Sequence, residues 1–486
     1  MATRRAWAPF FRAQELRKRT GKLALAGASL VVASGAVAYS LGYRNANLQS
    51  PTAPPDTLGY DAEKLTQAGW KGRVGIRQYM ANSPIEDRGI CSGTQDGQLV
   101  VGVLDGHGGW QVAEFVQENI LKRLEQGLLE SPATSLSQLV SSVFQALDEE
   151  IARRVRSAFL MGFGQVAKVG ACTLLCFVAE HRIVVANAGD CRVVLGRKAS
   201  GAHPSLLEEE PADSAAHAEA KAVGPLGKSK HAFSCAEDLR QEMKMTALEE
   251  RRMPWMNALR RCGATQNEDV DTAPAVVAWD LSNDHNARVP FEQLKLLREH
   301  PLEADIIRCK RADACYVKGR LQPTRSIGDL YLKMPEFNGK PYAWVWGTQY
   351  DNTRGRHVKG GVGWGGNAPA PPPEGTAPYI TAEPEIIRVD RSADDVVLVA
   401  GTDGLWDYLE SQEAVDIATA ALERSNSVGV AADELREEVL RRTARKHGLV
   451  LADVKQLSPG KDRRSKHDDV TVIVVDLRKA EEASCN

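Results

Sequence analysis

Aspartates recur where apolar runs end, and the chemistry of this chain starts from that placement. In VGVLDGHGG an apolar run meets Asp105, followed by Gly106, His107, Gly108 and Gly109. In DVVLVAGTDGLWD another run meets Asp403-Gly404, with Asp407 four residues later. HRIVVANAGDCRVVLG reads as a hairpin whose turn carries Asp190 to a strand end. KHDDVTVIVV reverses the order, Asp468 and Asp469 leading into the run, and TRSIGDLYLK contributes Asp329. ANSPIEDRGI adds the adjacent pair Glu86-Asp87 after a proline-containing turn. Solvated turns would not attach an aspartate to nearly every apolar run. Hard oxygen donors with few His or Cys select magnesium or manganese over zinc. Carboxylates gathered at one end of a sheet repel one another, and divalent ions remove that cost and keep them ionised. Two ions about 3.5–4 Å apart share a bridging water, lower its pKa and clamp a phosphoryl oxygen for in-line attack. The alkoxide of a phosphoserine is a poor leaving group, so a general acid helps, and His107, two residues from Asp105, is the candidate.

Rigid elements must hold these groups. The runs LVVGVL (99–104), CTLLCFVA (172–179), RIVVANA (182–188), CRVVLG (191–196), DVVLVAG (395–401) and VTVIVVDL (470–477) read as buried strands. A strand places a carboxylate firmly at its end, and the glycines after Asp105 allow a tight turn that leaves the Gly106 carbonyl exposed there. Helical spacing covers 110–128 through Val112, Phe115, Val116, Ile120 and Leu124. It also covers 135–158 through Leu136, Leu139, Val140, Val143, Phe144, Leu147, Ile151 and Val155. Further amphipathic helices are expected at 411–424 and 432–446. Strands and helices do not alternate strictly, which favours antiparallel sheets covered by helices.

The 486 residues carry a formal charge of −2, so nothing in the whole-molecule balance argues for nucleic acid. Nine cysteines without a CxxC pair form neither a disulfide framework nor a zinc site, and most read as small core residues. Residues 1–22 are rich in Arg and Lys with one acid, Glu15, and resemble a mitochondrial presequence. Residues 23–43 are uncharged and long enough to cross a bilayer, which takes about 20 residues. The alternatives are a signal anchor in another membrane, or a basic tail before a packed Ala-rich helix. Residues 44–69 read as a linker, and 70–480 as one large domain. Within it, 198–250 (Ala, Glu, Lys) and 337–378 (Gly, Pro, Trp) read as loop insertions, candidate sites for a regulatory partner.

Taken in order, IEDR, VGVLDGHGG, GACT, ANAGDCRVVLG, TRSIGD, GTDGLWD and HDDVTVIVV resemble the metal-dependent Ser/Thr protein phosphatases of the PPM (type 2C) family, over about residues 70–478. ANSPIEDR, LSNDHNA with REHP, GRLQPTRSIGD and APYITAEPEI resemble the mitochondrial pyruvate dehydrogenase phosphatase catalytic subunits. The resemblance implies an α+β, four-layer α-β-β-α sandwich with two central antiparallel sheets flanked by helices, here preceded by an N-terminal hydrophobic helix. It implies two Mn2+ or Mg2+ ions on Asp87, Asp105, the Gly106 carbonyl, Asp403 and Asp468, and a phosphoprotein substrate. Glu86 would act mainly through ion-bound water, Asp190 and Asp407 would serve a weaker third ion, and Asp329 would be structural. Many members carry an Arg four residues before the Glu to grip phosphate; Asn82 stands there, which makes Arg77 and Arg88 the alternative candidates. The competing reading is a membrane-tethered pseudophosphatase, against which all four core aspartates are present. A matrix substrate such as pyruvate dehydrogenase requires the leader to be cleaved past Tyr43; an anchor that is retained puts the domain in the intermembrane space.

Overall fold

The computed structural model describes residues 73–93, 98–131, 134–202, 204, 275–303, 305–311, 314–337, 348–351, 356–359 and 377–478. The leader, the 23–43 segment, the linker and most of both insertions lie outside the described residues. Among the described residues, no helix is long and apolar enough to cross a membrane. The chain forms two compact units, a smaller one from Glu149–Val169 and Gly328–Pro378 and a larger one holding the other described residues.

In chain order the elements begin with β1 (Arg73–Tyr79), β2 (Arg88–Gly93), β3 (Leu99–His107), α1 (Gln111–Glu130) and α2 (Leu136–Leu160). There follow β4 (Gly170–Val178), β5 (Arg182–Ala188), β6 (Arg192–Lys198), β7 (Val276–Asp280), α3 (Pro290–Glu299), β8 (Ile307–Arg311), β9 (Ala314–Val317) and β10 (Ile327–Gly328). Next are α4 (Leu330–Lys333), β11 (Thr348–Asp351), β12 (Arg356–Lys359), β13 (Glu385–Asp390), β14 (Asp395–Gly401) and α5 (Asp403–Trp406). The last are α6 (Ser411–Ser425), α7 (Val428–His447), α8 (Leu451–Gln456), α9 (Lys461–Arg464) and β15 (Val470–Asp476).

The larger unit holds two antiparallel sheets. One runs β1-β15-β14-β6-β7, and the other follows the path β13-β5-β4-β3-β2. Every residue of β4, β14 and β15 is buried, so these strands read as unbroken apolar runs rather than alternating ones. The sheets pack face to face: Val101, Val103, Leu174 and Cys176 of one meet Leu398, Ala400, Ile473 and Val475 of the other. The outer face of the first sheet, through Val397, Val399, Val472 and Val474, packs on Val415 and Ala418 of α6 and Leu435 and Val439 of α7. Helix α1 buries the expected stripe, Val112, Phe115, Val116, Ile120 and Leu124, and packs on β2, β3 and β4. The layer order within this unit is therefore helix, sheet, sheet, helix. Helix α7 begins at Val428, earlier than the periodicity predicts, because the Ser427 hydroxyl caps the Val430 N–H at 3.4 Å.

The first insertion leaves from the end of a hairpin. Strands β6 and β7 pair directly, and the Ala199 N–H donates to the Ala275 carbonyl at 2.9 Å, so the chain returns to the sheet beside the strand it left. The cysteine expectation needs one correction. Cys91, Cys172, Cys176 and Cys191 are free and buried, as expected, but Cys309 and Cys315 are disulfide-bonded. They are register partners across the β8–β9 hairpin, a pairing that spacing alone does not reveal.

In the smaller unit the Phe159 and Phe337 rings lie 4.8 Å apart and Arg156 pairs with Glu336 at 2.5 Å. Asp329, fully buried, takes a left-handed φ of 50° as the N-cap of α4, and its N–H donates to the Val169 carbonyl at 3.1 Å.

Candidate metal centre

Each acidic group arrives on the end of an element of the larger unit. Asp105 and His107 close β3, Asp403 opens α5 directly after β14, Asp468 precedes β15, and Asp87 precedes β2. Close backbone approaches set the spacing. A Cβ on Gly106 would lie 2.3 Å from the Glu86 carbonyl oxygen, and one on Gly404 would lie 1.9 Å from that of Asp469. Only glycine allows the Glu86-Asp87 turn to lie on β3 and the Asp468-Asp469 turn to lie on α5.

Asp87 ties the two sheets together. Its Oδ2 accepts hydrogen bonds from the hydroxyls of Thr402 (2.9 Å) and Thr471 (2.7 Å), both borne by the opposite sheet's strand ends. The threonines are locked in turn, the Thr471 N–H donating to Thr402 Oγ1 at 3.1 Å and Gln78 Nε2 to Thr471 Oγ1 at 3.0 Å.

The carboxylates act on one another. Burial, then Asp403, Asp87, Asp468 and Asp190, push Asp105 well above the ordinary carboxylate range. Burial, then Asp468, Asp190 and Asp407, do the same to Asp403. Asp87 is raised by burial and Asp469 against the pull of its two threonines. Burial brings Asp468 up to about 6 against the pull of Arg464. Burial, Asp469 and Asp468 bring Glu86 up to about 7 against the pull of His107 and Arg464. Asp87, Asp105, Asp403 and Asp468, with Asp190, Asp407 and Glu86 beside them, thus form one interacting set.

Among the described residues, no three His, Cys, Asp or Glu side chains stand close enough to hold an ion as they are placed. The donor set itself fits a hard divalent cation. It consists of buried oxygen groups that destabilise each other as anions, a cost that a cation between them reverses.

The family model for "Protein phosphatase 2C" matches residues 75–214 and 281–448, together more than half of the chain. The chain belongs to the protein phosphatase 2C family. It is 28% identical over 422 residues to "Probable protein phosphatase 2C 78" of Oryza sativa subsp. japonica, covering 87% of this chain and 81% of that one. It is also 28% identical over 411 residues to "Probable protein phosphatase 2C 64" of Arabidopsis thaliana, covering 83% and 77%. A solved structure, "Crystal structure of serine-threonine phosphatase 2C from Toxoplasma gondii", aligns with a TM-score of 0.45 at 15% identity, covering 84% of this chain and 95% of that one. This chain is a protein-serine/threonine phosphatase of a metal-dependent family.

In this phosphatase 2C the phosphate-gripping candidates are committed elsewhere. Arg77 points to α7, its Nε 2.9 Å from Asp433, and its side chain is 17% exposed. Arg88 pairs with Glu114 at 2.6 Å, donates to the Ile85 and Asp87 carbonyls, and lies over Trp110. The Asn82 amide faces Asp469 Oδ2 at 3.0 Å and Asp468 Oδ1 at 3.4 Å. Sequence reasoning also missed the role of Asp469. Its carboxylate accepts the backbone N–H groups of Ala81 (2.5 Å), Asn82 (2.8 Å) and Glu86 (2.8 Å), and so holds the whole ANSPIED turn.

The LSNDHNA stretch, quoted above only for its likeness, packs against Asp190 and Asp407. Asn286 Nδ2 donates to Asp190 Oδ2 at 2.7 Å, and Arg288 pairs with Asp407 at 3.0 Å. Asp284 grips Arg192, two residues after Asp190, at 2.6 Å. His285 meets Glu385 at 3.4 Å. Burial opposes ionisation of Glu385, yet the His285 hydrogen bond and charge bring it down to about 2.

Proposed function

We propose that this phosphatase 2C hydrolyses phosphoserine and phosphothreonine in proteins at a two-ion manganese or magnesium centre. Asp87, Asp105, the Gly106 carbonyl, Asp403 and Asp468 would hold the ions, with a weaker third position at Asp190 and Asp407. The observation that carries this reading is the set of buried, mutually raised carboxylates contributed by both sheets. Bound divalent ions supply Lewis acidity toward water and neutralise phosphoryl oxygens. The chain does the rest. Thr402 and Thr471 orient Asp87, and Asp469 fixes the turn that carries Glu86 and Asp87. His107, at the end of β3 and close enough to Glu86 to pull its pKa down, would hand a proton to the departing serine oxygen. Glu86, at about 7, can hold or release a proton near neutral pH.

The test is phosphate release from a phosphoserine peptide as Mn2+ or Mg2+ is titrated, with Mn2+ binding measured in parallel by calorimetry. Ion binding without turnover would favour the pseudophosphatase; neither binding nor turnover would sink the centre itself.

For substrate and location, the same proposal extends to a mitochondrial phosphatase acting on pyruvate dehydrogenase or another mitochondrial phosphoprotein. The basic residues 1–22, the uncharged run 23–43 and Asn82 in the position where many relatives carry Arg support that extension. Protease treatment of intact and swollen mitochondria separates the alternatives. Digestion once the outer membrane is opened rules out a matrix substrate, and absence from mitochondria overturns the extension.

A further inference from the structure

A guanidinium beside the ions would add directional hydrogen bonds to the phosphoryl oxygens that the ions alone do not give, and position 82 does not provide one. Arg77 and Arg88 are spoken for by Asp433 and Glu114. The guanidinium nearest the carboxylate set on the Asn82 side belongs to a residue that no motif reading singled out. Arg464 Nη2 lies 2.5 Å from Asp468 Oδ2, while the Asn82 amide lies 3.4 Å from Oδ1 of that same carboxylate. Arg464 and Asn82 thus flank one carboxylate from its two oxygens.

The local structure holds Arg464 there. Its neighbour Arg463 is buried, lies 4.5 Å over the Tyr79 ring and donates to the Met80 carbonyl at 2.7 Å. The Gly460 N–H donates to the Ala81 carbonyl at 2.7 Å. These bonds fasten α9 to the chain that enters the ANSPIED turn. The adjacent arginines therefore divide the work, one anchoring the short helix and the other left 49% exposed at the acidic set. An ion pair this exposed is worth little, so the guanidinium exchanges Asp468 for a phosphate at small cost. Guanidinium is also the side chain whose planar fork matches phosphate oxygens.

We infer that Arg464 is a substrate-binding residue that grips the phosphoryl group, in place of an arginine at position 82. This rests on the phosphatase reading above. Arg288 is held by Asp407 on the Asp190 side of the set and is the natural comparison.

The experiment is calorimetric titration of the full chain, loaded with Mn2+, with inorganic phosphate, which requires no turnover. Mn2+ affinity is measured separately for each variant. Arg464→Ala is expected to weaken phosphate binding about tenfold or more, Arg464→Lys less, and Arg288→Ala by less than about twofold. Mn2+ affinity of Arg464→Ala should stay level or tighten, because Asp468 loses a competing cation; a residue that only positioned Asp468 would weaken it. Unchanged phosphate binding in Arg464→Ala, phosphate and Mn2+ affinity falling together, or a larger loss in Arg288→Ala would each overturn the inference. Wild-type chain that binds phosphate but releases none from a phosphopeptide counts against the phosphatase reading alone.

Discussion

Asp403 is the charged neighbour that raises Asp105 most, although the two arrive on different sheets, one at the end of β3 and the other directly after β14. Repulsion therefore sets the behaviour of this pair when no cation lies nearby.

Replacing either member should separate function from stability. Asp105→Asn and Asp403→Asn are expected to lower Mn2+ affinity and phosphate release about a hundredfold or more. Without metal at pH 8, each should melt about 2–4 °C higher than the parent, because a buried repulsion is gone. Thermal melts with and without Mn2+ check both halves; an unchanged or lower melting temperature without metal would contradict the electrostatic account.

The metal-free chain should lose stability as pH rises from about 4 toward 7. Glu86 is raised to about 7 and Asp468 to about 6, so the folded state holds their protons more tightly than the unfolded state does. Their contribution is complete below the unfolded carboxylate values and disappears as pH passes the folded ones. Glu385, brought down to about 2, works oppositely, between that value and its ordinary one near 4.5. Denaturant midpoints across pH 4–8 should slope downward in this component, and Glu86→Gln should flatten that slope relative to the parent.

Asp469→Ala removes the acceptor for three backbone N–H groups and the Asn82 amide. A loss of about 3 kcal/mol in urea denaturation is expected, with phosphate release falling as the Glu86-Asp87 turn loosens. Asp469→Asn keeps one oxygen acceptor and should fall between. A parent-like midpoint for Asp469→Ala would show that the turn is held by something else.

Thr402→Val and Thr471→Val keep side-chain shape but strip Asp87 of a donor, and each should cost about 1–2 kcal/mol. Asp87 then becomes harder to ionise, so Mn2+ binding should weaken and its pH dependence should move upward. The double variant should depart from additivity, since the two hydroxyls serve one carboxylate oxygen and Thr402 also accepts from the Thr471 N–H.

Which strands could be read from the sequence follows from position in the sheets. The six expected strands became β3, β4, β5, β6, β14 and β15, all interior to the two five-strand paths. The unread β1, β7, β13 and β2 are the edges of those paths. Strand β13 buries one residue fully along its length and β2 two, so no apolar run marks them, and the apolar stretch of β7 is four residues, VVAW. Pairing, not composition, makes these edges strands, and for β1, β7 and β13 the partner lies far away in sequence.

The candidate centre divides in the same way. Apolar runs ending in Asp105, Asp190 and Asp403, and one beginning at Asp468, determined which acids could stand on rigid supports. The type 2C motifs around them settled the family. The motif resemblance chose Asp468 over Asp469 for the ions but gave Asp469 no role, and sequence could not tell Arg463 from Arg464, because adjacent residues of one type differ only in where the backbone turns them. Tertiary structure decided that Asp469 clasps backbone while Asp468 faces the acidic set, and that Arg463 is buried on Tyr79 while Arg464 stays at the rim. It also joined Asp87 to Thr402 and Thr471, and Cys309 to Cys315. Strand ends are written locally, by the period and length of apolar runs. Contacts between distant segments exist only once both sheets have formed and packed.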